Sequence, residues 1–340
     1  MNKFLIPFVF AISLVSISCK TTAVNESQLL EEKVSVDDTW KYLEQFQKIA
    51  NQNNNNRAVG SPGGIASTDY IVKVLKDLNL NPVLQEFTNS KGKKGVNVIV
   101  EIKGKTDKVT MLGAHYDSVE FGPGINDNAT GTAIVLEIIS KIVSENKTPN
   151  HTLRFAFWDS EEIGVAGSKY YVSQLSNSDL SKIANYLNVD MVGTTKPTIL
   201  ISDGDGTSWQ TFKDKLVKNS ETEEDKANAI NLIETLKSAY PAQVKGAEKL
   251  EKIYGDYLTA NNVEFTEDYT LSNSTDVFPF LGKVPTFGFI MTNEQELETG
   301  ESLYAPCYHQ ACDDIKNVDK TSLKIALESM SHLLNEVAIK

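Results

Sequence analysis

Three apolar runs of strand length in this 340-residue chain stop on side chains that can hold a metal or move a proton. Val109 to Leu112 leads into Gly113-Ala114-His115-Tyr116-Asp117. The loop Gly124-Ile125-Asn126-Asp127-Asn128-Ala129-Thr130-Gly131 follows, before a helix expected to start near Gly131. Leu153 to Trp158 ends in Asp159-Ser160-Glu161-Glu162-Ile163-Gly164, and Tyr186-Leu187-Asn188-Val189 ends on Asp190. Runs this short and this continuously apolar read as buried strands. Open α/β sheets bind ligands at the carboxyl ends of their strands, so the pattern predicts one sheet edge that gathers His115, Asp127, Glu161, Glu162 and Asp190.

Each signal is weak alone. Zinc takes imidazole nitrogen and carboxylate oxygen, so His115 and Asp127 on one loop suit two ligand positions. Asp127 and Asn128 equally suit the cap of the following helix. Glu161-Glu162 suits a solvated helix start. Adjacent side chains leaving a strand point in different directions, however, so one of the pair could ligate a metal while the other reaches a water on it.

Around these runs the chain reads as an ordinary α/β protein. Trp40, Leu43, Phe46 and Ile49 recur at helical spacing between Val36 and Ala50, with Asp37 and Asp38 at the amino end as cap and dipole partners. An Asn- and Gly-rich loop carrying Arg57 leads to a second helix near Ala66 to Leu78. Val83 to Phe87 and Val96 to Lys103 suggest an edge hairpin. Ala133 to Val143 is apolar on nearly every side, as in a helix packed deep against a sheet. Trp209 to Asn262 holds charged helical segments, including Ala227 to Ser238 and Val244 to Leu258, read as solvated helices. Val284 to Met291 supplies another buried strand, and a helix from about Leu323 to Val337 closes the chain. His151 and His332 lack comparable neighbours and read as structural.

A formal net charge of -12 argues against nucleic acid or an anionic membrane as the main partner, since phosphate recognition needs a basic face. Lys3, the apolar run Phe4 to Val15 and the small residues before Cys19 have the pattern of a secretory signal over residues 1–18. Ser16-Ile17-Ser18-Cys19 resembles a bacterial lipoprotein processing site, with Ser16 where Leu is usual. Cys19 as the lipidated first residue stands against ordinary cleavage beside an incidental cysteine. Either way the chain is expected to be exported. It would be lipid-anchored in the cell envelope or otherwise secreted, with residues 19–35 a polar tether that buries nothing. In that compartment Cys307 and Cys312, bracketing Tyr308-His309, suggest a disulfide clamping a loop. The chain entropy of so small a loop contributes only about 2 kcal/mol, so its value would lie in holding His309 still.

Taken together, His115, Asp127, Glu161-Glu162, Asp190 and Tyr308-His309, with Asn56-Arg57-Ala58 and Tyr186-Leu187-Asn188, resemble the signature of the di-zinc aminopeptidase family. The likeness runs from about Val36 to the carboxyl end. It implies a single three-layer α/β domain, a mostly parallel twisted central sheet flanked by helices. It implies two Zn²⁺, Asp127 bridging them, with His115 and Asp190 completing one and Glu162 and His309 the other. Glu161 would be the general base and Tyr308 the oxyanion donor. Asp117 would orient His115, and Glu161 and Asp190 would meet the substrate's amine. The implied substrates are peptides with free N-termini, trimmed of a single, preferentially apolar residue by a monomer. Glutaminyl cyclase-like acyltransfer on a single zinc, another exopeptidase activity and a silent binding relative are the competing readings. Two departures bear on specificity. Ser274 and Val277 flank Asp276 where the family often has Arg and His, and about 219–252 reads as a helical insertion relative to compact members.

Overall fold

The computed structural model describes residues 29–239, 241–271, 274–296 and 302–340. The signal segment, Cys19 and most of the expected tether lie outside them.

The apolar runs form an eight-stranded mixed sheet in the order β1-β2-β4-β3-β5-β8-β6-β7. Its strands are β1 (Val83–Thr88), β2 (Lys94–Ile102), β3 (Thr106–His115), β4 (His151–Trp158), β5 (Ile183–Val189), β6 (Thr198–Ser202), β7 (Thr266–Asp268) and β8 (Thr286–Thr292). The central strands β4, β3, β5 and β8 run parallel. The β1–β2 hairpin is antiparallel at one side, as its Lys/Gly turn predicts, and β6 is antiparallel to β8 at the other. After β3 the chain first goes to β4 on one side and then crosses to β5 on the other. The order therefore reverses at β3, and the crevice this opens lies at the carboxyl ends of β3, β4 and β5.

Strand alternation builds a core on each face. Phe155, Phe157, Leu112, Ala114, Leu187 and Val189 join one large cluster. It is covered by α1 (Val36–Gln52), α2 (Pro62–Asp77), α3 (Thr130–Glu145), α8 (Ala247–Ala260) and α9 (Lys320–Leu334). Met111, Ala156, Trp158 and Tyr186 face the other way. They pack on Tyr171 of α4 (Ala166–Gln174) and on Phe280, which stacks on Tyr186 with centroids 3.8 Å apart.

Four expectations need correction. The amino-terminal stretch does bury something: Leu30 is a core residue, and Glu31 pairs with His332 Nδ1 at 2.7 Å, so the folded unit begins before Val36. The cap of α1 is Ser35, whose Oγ accepts from the Asp38 amide, and the two aspartates only occupy the first turn. The α8 segment is not a solvated helix, because Leu250, Tyr254 and Leu258 are in the core. Its pattern of one apolar residue per turn was masked by the charges between. The expected 219–252 insertion consequently divides into a mostly exposed helix, α7 (Glu223–Ala239), and the first turns of a core helix. His332, stacked on Tyr257, and His151, on Thr110 Oγ1, are structural as expected.

Candidate metal centre and active site

His115 is the last residue of β3, Glu161 and Glu162 form a short helical turn just past β4, and Asp190 follows β5. The sheet therefore delivers them to one crevice. Asp127 reaches the same point from the loop ahead of α3, and His309 from a loop between β8 and α9. His115 Nε2 lies 3.2 Å from Asp127 Oδ1 and 3.4 Å from Asp190 Oδ1. His309 Nε2 lies 3.3 Å from Asp127 Oδ2 and 3.0 Å from Glu162 Oε2. Two triads result, His115/Asp127/Asp190 and Asp127/Glu162/His309, sharing one carboxylate whose two oxygens face different partners.

The donor set fits zinc. Ligands about 2.0–2.1 Å from a tetrahedral ion sit roughly 3.3 Å from one another, which is close to the spacing of each imidazole from its two carboxylates. The buried oxygens Asp190 Oδ1 and Glu162 Oε1 have no hydrogen-bond partner among the described residues. Charge points the same way, since the five carboxylates of Asp117, Asp127, Glu161, Glu162 and Asp190 face two imidazoles and one buried guanidinium, that of Arg57. Burial, with Asp127 nearby, pushes Glu162 up to about 7 and holds Asp190 above the usual carboxylate range, and burial with Asp276, Asp190 and Glu162 does the same for Glu161. Burial disfavours a charged His309, yet Asp127 and Glu162 outweigh it and lift its pKa to about 10. His115 is raised for the same reason, by Asp190, Asp117 and Asp127 against burial. A buried excess of negative charge of this kind suits divalent cations.

Asp117 serves two groups. Its Oδ1 lies 3.4 Å from His115 Nδ1 and accepts the Glu161 amide at 3.1 Å, tying the imidazole to the turn that carries the two glutamates. Tyr308 stacks on His309 with ring centroids 3.8 Å apart, and burial holds its hydroxyl well above the ordinary tyrosine pKa. Cys307 and Cys312 are disulfide-bonded, with Cα atoms 5.3 Å apart. Left-handed backbone at non-glycine residues clusters here: Ser160, Val165, Met191, Cys307 and His309 all have positive φ. Such conformations persist only where the surroundings over-determine them.

Those surroundings include residues to which the sequence assigned no role. Arg57 is fully buried beneath the Asp127 loop. It donates through Nε to Pro123 O at 2.8 Å and through its terminal nitrogens to Tyr116 O and Gly124 O. Gly124 itself has φ 60°, and a Cβ there would meet Asp127 O at 2.3 Å. Asp313, next to Cys312, accepts the Asn126 and Asp127 amides at 3.0 and 3.1 Å, so the disulfide loop is bolted to the Asp127 loop. Asn128 accepts from Gly131 N at 2.9 Å and donates to Val189 O at 2.9 Å. The capping reading therefore holds for Asn128, while Asp127 faces the triads. Asp276 is fully buried and accepts from Ser168 Oγ at 2.5 Å, with apolar Val277 beside it in the core. The sequence marked Arg57 within a family signature, Asn128 as a possible cap and Asp276 between two departures, but none of these signals gave the burial or the partner.

Fold and site together define a class: a three-layer α/β domain with two candidate metal triads joined by a shared carboxylate at the carboxyl edge of the parallel strands of a mixed sheet. Residues 97–232 match the model of peptidase family M28. It is 43% identical over 173 residues to leupeptin-inactivating enzyme 1 of Streptomyces exfoliatus, covering 51% of this chain and 39% of that protein. It is 30% identical over 254 residues to an aminopeptidase of Pseudomonas aeruginosa, covering 72% and 41%. The chain thus spans about two fifths of the length of these relatives. Its fold is similar to that of a zinc aminopeptidase from Bacillus subtilis, with TM-score 0.67 at 16% identity over 90% of this chain and 96% of that one. It is similar also to a glutaminyl cyclase from Bacteroides thetaiotaomicron, with TM-score 0.63 at 17% identity over 89% and 98%.

Proposed function

We propose that the chain is an exported aminopeptidase that removes one N-terminal residue, preferentially apolar, from peptides with a free amino terminus. Two zinc ions would be held, one by His115, Asp127 and Asp190, the other by Asp127, Glu162 and His309. The observation that carries this reading is the placement of Asp127 between two triads. Zinc there supplies Lewis-acid polarisation of the scissile carbonyl and lowers the pKa of the attacking water toward neutrality. Glu161 is the general base that takes a proton from the attacking water and passes it to the leaving amine. Its burial and its neighbours Asp276, Asp190 and Glu162 hold its pKa up, which suits a carboxylate that must carry a proton near neutral pH. Tyr308, kept protonated, donates to the oxygen of the scissile carbonyl as charge develops there. Asp117 orients His115 and the Glu161 turn. Glu161 and Asp190 offer acceptors to the substrate's ammonium, the group that a blocked peptide lacks.

The relatives named as aminopeptidases favour this reading over acyl transfer, and so does the completeness of both triads. A panel of aminoacyl amides assayed with and without a chelator tests it. The expected result is hydrolysis of leucyl amide, lost on chelation and absent for N-acetyl peptides. Equal cleavage of blocked peptides, or one zinc per chain with cyclisation of glutaminyl peptides, would overturn it. Export, a lipid on Cys19 and a monomeric state belong to the same proposal and are read by fractionation, acyl labelling and light scattering.

A further inference from the structure

The opposite edge of the sheet carries a feature that the peptidase chemistry does not use. A groove of about 430 Å³ opens at the amino ends of β3 and β4, lined by Leu29, the first described residue, and by Lys340. β3 spans 10 residues from this edge to His115, so the groove lies roughly 30 Å from the candidate metal centre at about 3.3 Å per residue. The groove is lined by Lys33, Lys105, Lys147 and Lys340, with Glu145 the one acidic side chain among its lining residues and the α-carboxylate of Lys340 beside it, in a protein whose formal net charge is -12. Lys33 and Lys147 both pair with Glu145, and Lys340 pairs with Glu336. Lys105 has no ion-pair partner among the described residues. The walls are apolar, formed by Leu30, Ile142 and Ile339.

Asn335 lines the same groove. It is 5% exposed, and its Nδ2 has no hydrogen-bond partner among the described residues. A buried amide donor without an acceptor is costly, so a partner oxygen is expected there. An amide donor and lysines around an apolar trough match an anionic headgroup joined to aliphatic chains.

We propose that this groove seats an anionic phospholipid at a membrane surface and so turns the candidate active site away from the bilayer. Leu29, which lines the groove, follows Cys19 by ten residues in sequence, and ten residues reach at most about 35 Å. A lipid on Cys19 would therefore keep this edge, rather than the catalytic edge, within reach of headgroups. The overall negative charge would repel the rest of the surface and leave the lysine rim as the face that approaches. The inference does not depend on the aminopeptidase reading.

The test uses the full chain mixed with vesicles of phosphatidylcholine alone or containing phosphatidylglycerol, the latter bearing a photoactivatable headgroup analogue. Flotation reads binding, and mass spectrometry locates cross-links. The expected result is preferential binding to the anionic vesicles, with cross-links on the segments around Lys105, Lys147 and Asn335. A Lys105→Glu/Lys147→Glu variant should lower the preference for anionic over neutral vesicles by at least about tenfold, since each basic residue near an anionic surface contributes about fivefold. The same change at Lys73 and Lys76 on α2 should leave the preference within about twofold, as expected of lysines outside the groove. Far-ultraviolet circular dichroism and the thermal midpoint of the groove variant should match those of the unaltered chain, which reports that it is folded. Cross-links confined to other surfaces, or an unchanged preference in the folded groove variant, would overturn the proposal.

Discussion

At the scale of single residues, the two adjacent glutamates are the sharpest case of division of labour. Glu162 Oε2 lies 3.0 Å from His309 Nε2 within a triad, while the Glu161 amide is pinned to Asp117. We expect Glu161→Ala to keep both metals and the fold while lowering turnover by roughly 10²–10⁴-fold, the usual worth of a positioned base. Glu162→Ala should instead lose one equivalent of zinc, and metal analysis of the two variants separates the roles; identical stoichiometry would refute the assignment. Arg57 makes a different prediction. Replacing it with Met leaves the carbonyls of Tyr116, Pro123 and Gly124 without its donors in a buried site. A loss of about 3–5 kcal/mol is expected, as for removal of one partner from a buried charged network. Denaturant unfolding measures it, and a change below about 1 kcal/mol would mean the loop is held by other means.

At the scale of elements, the site depends on two loops locked to each other. The disulfide loop supplies Tyr308 and His309, and Asp313 at its end accepts two amides of the loop that supplies Asp127. A displacement of about 1 Å at a ligand or an oxyanion donor is enough to impair catalysis. Cys307→Ser with Cys312→Ser should therefore reduce turnover and weaken zinc at the His309 triad, while lowering global stability by only about 2 kcal/mol for so short a loop. Zinc titration and thermal unfolding of the same variant give both numbers. A large stability loss with unaltered zinc affinity would reverse the reading. Asp313→Asn belongs to the same element. It keeps a side chain of similar size but has one acceptor oxygen for two amides, and it should mimic the double cysteine variant at the zinc site.

At the scale of the whole molecule, a group of carboxylates is collected in one buried crevice of a parallel sheet. Burying like charges is expensive unless cations accompany them, so metal binding and folding are linked. Each zinc ion at 100–1,000 times its dissociation constant would add about 2.7–4.1 kcal/mol to stability. Chelation should then lower the melting temperature by roughly 5–10 °C for each ion lost from a domain of this size. Calorimetry with and without a chelator, and then with zinc restored, checks it. An unchanged midpoint would argue that the crevice folds equally well without cations.

Local order along the chain already determined much of this protein. Strand-length apolar runs predicted β3, β4, β5 and β8, because a strand buried on both faces has no polar positions to interrupt it. The polar residue ending each run had to emerge at the sheet's carboxyl edge, so the gathering of His115, Glu161, Glu162 and Asp190 in one crevice was legible. The cysteines around Tyr308 and His309 were legible as a disulfide for reasons of compartment and spacing. Only the tertiary structure decided what depends on residues far apart in the chain. Arg57 under the Asp127 loop, Asp313 on the Asp127 amide and Glu31 on His332 join segments 59 to 301 positions apart. No local periodicity encodes such pairs, because a loop arginine that faces water and one that props up a backbone turn look the same in sequence. Leu250, Tyr254 and Leu258 of α8 were likewise read as solvated. The burial of a charged helix is set by what packs against it, here the sheet and α9, and not by its own composition.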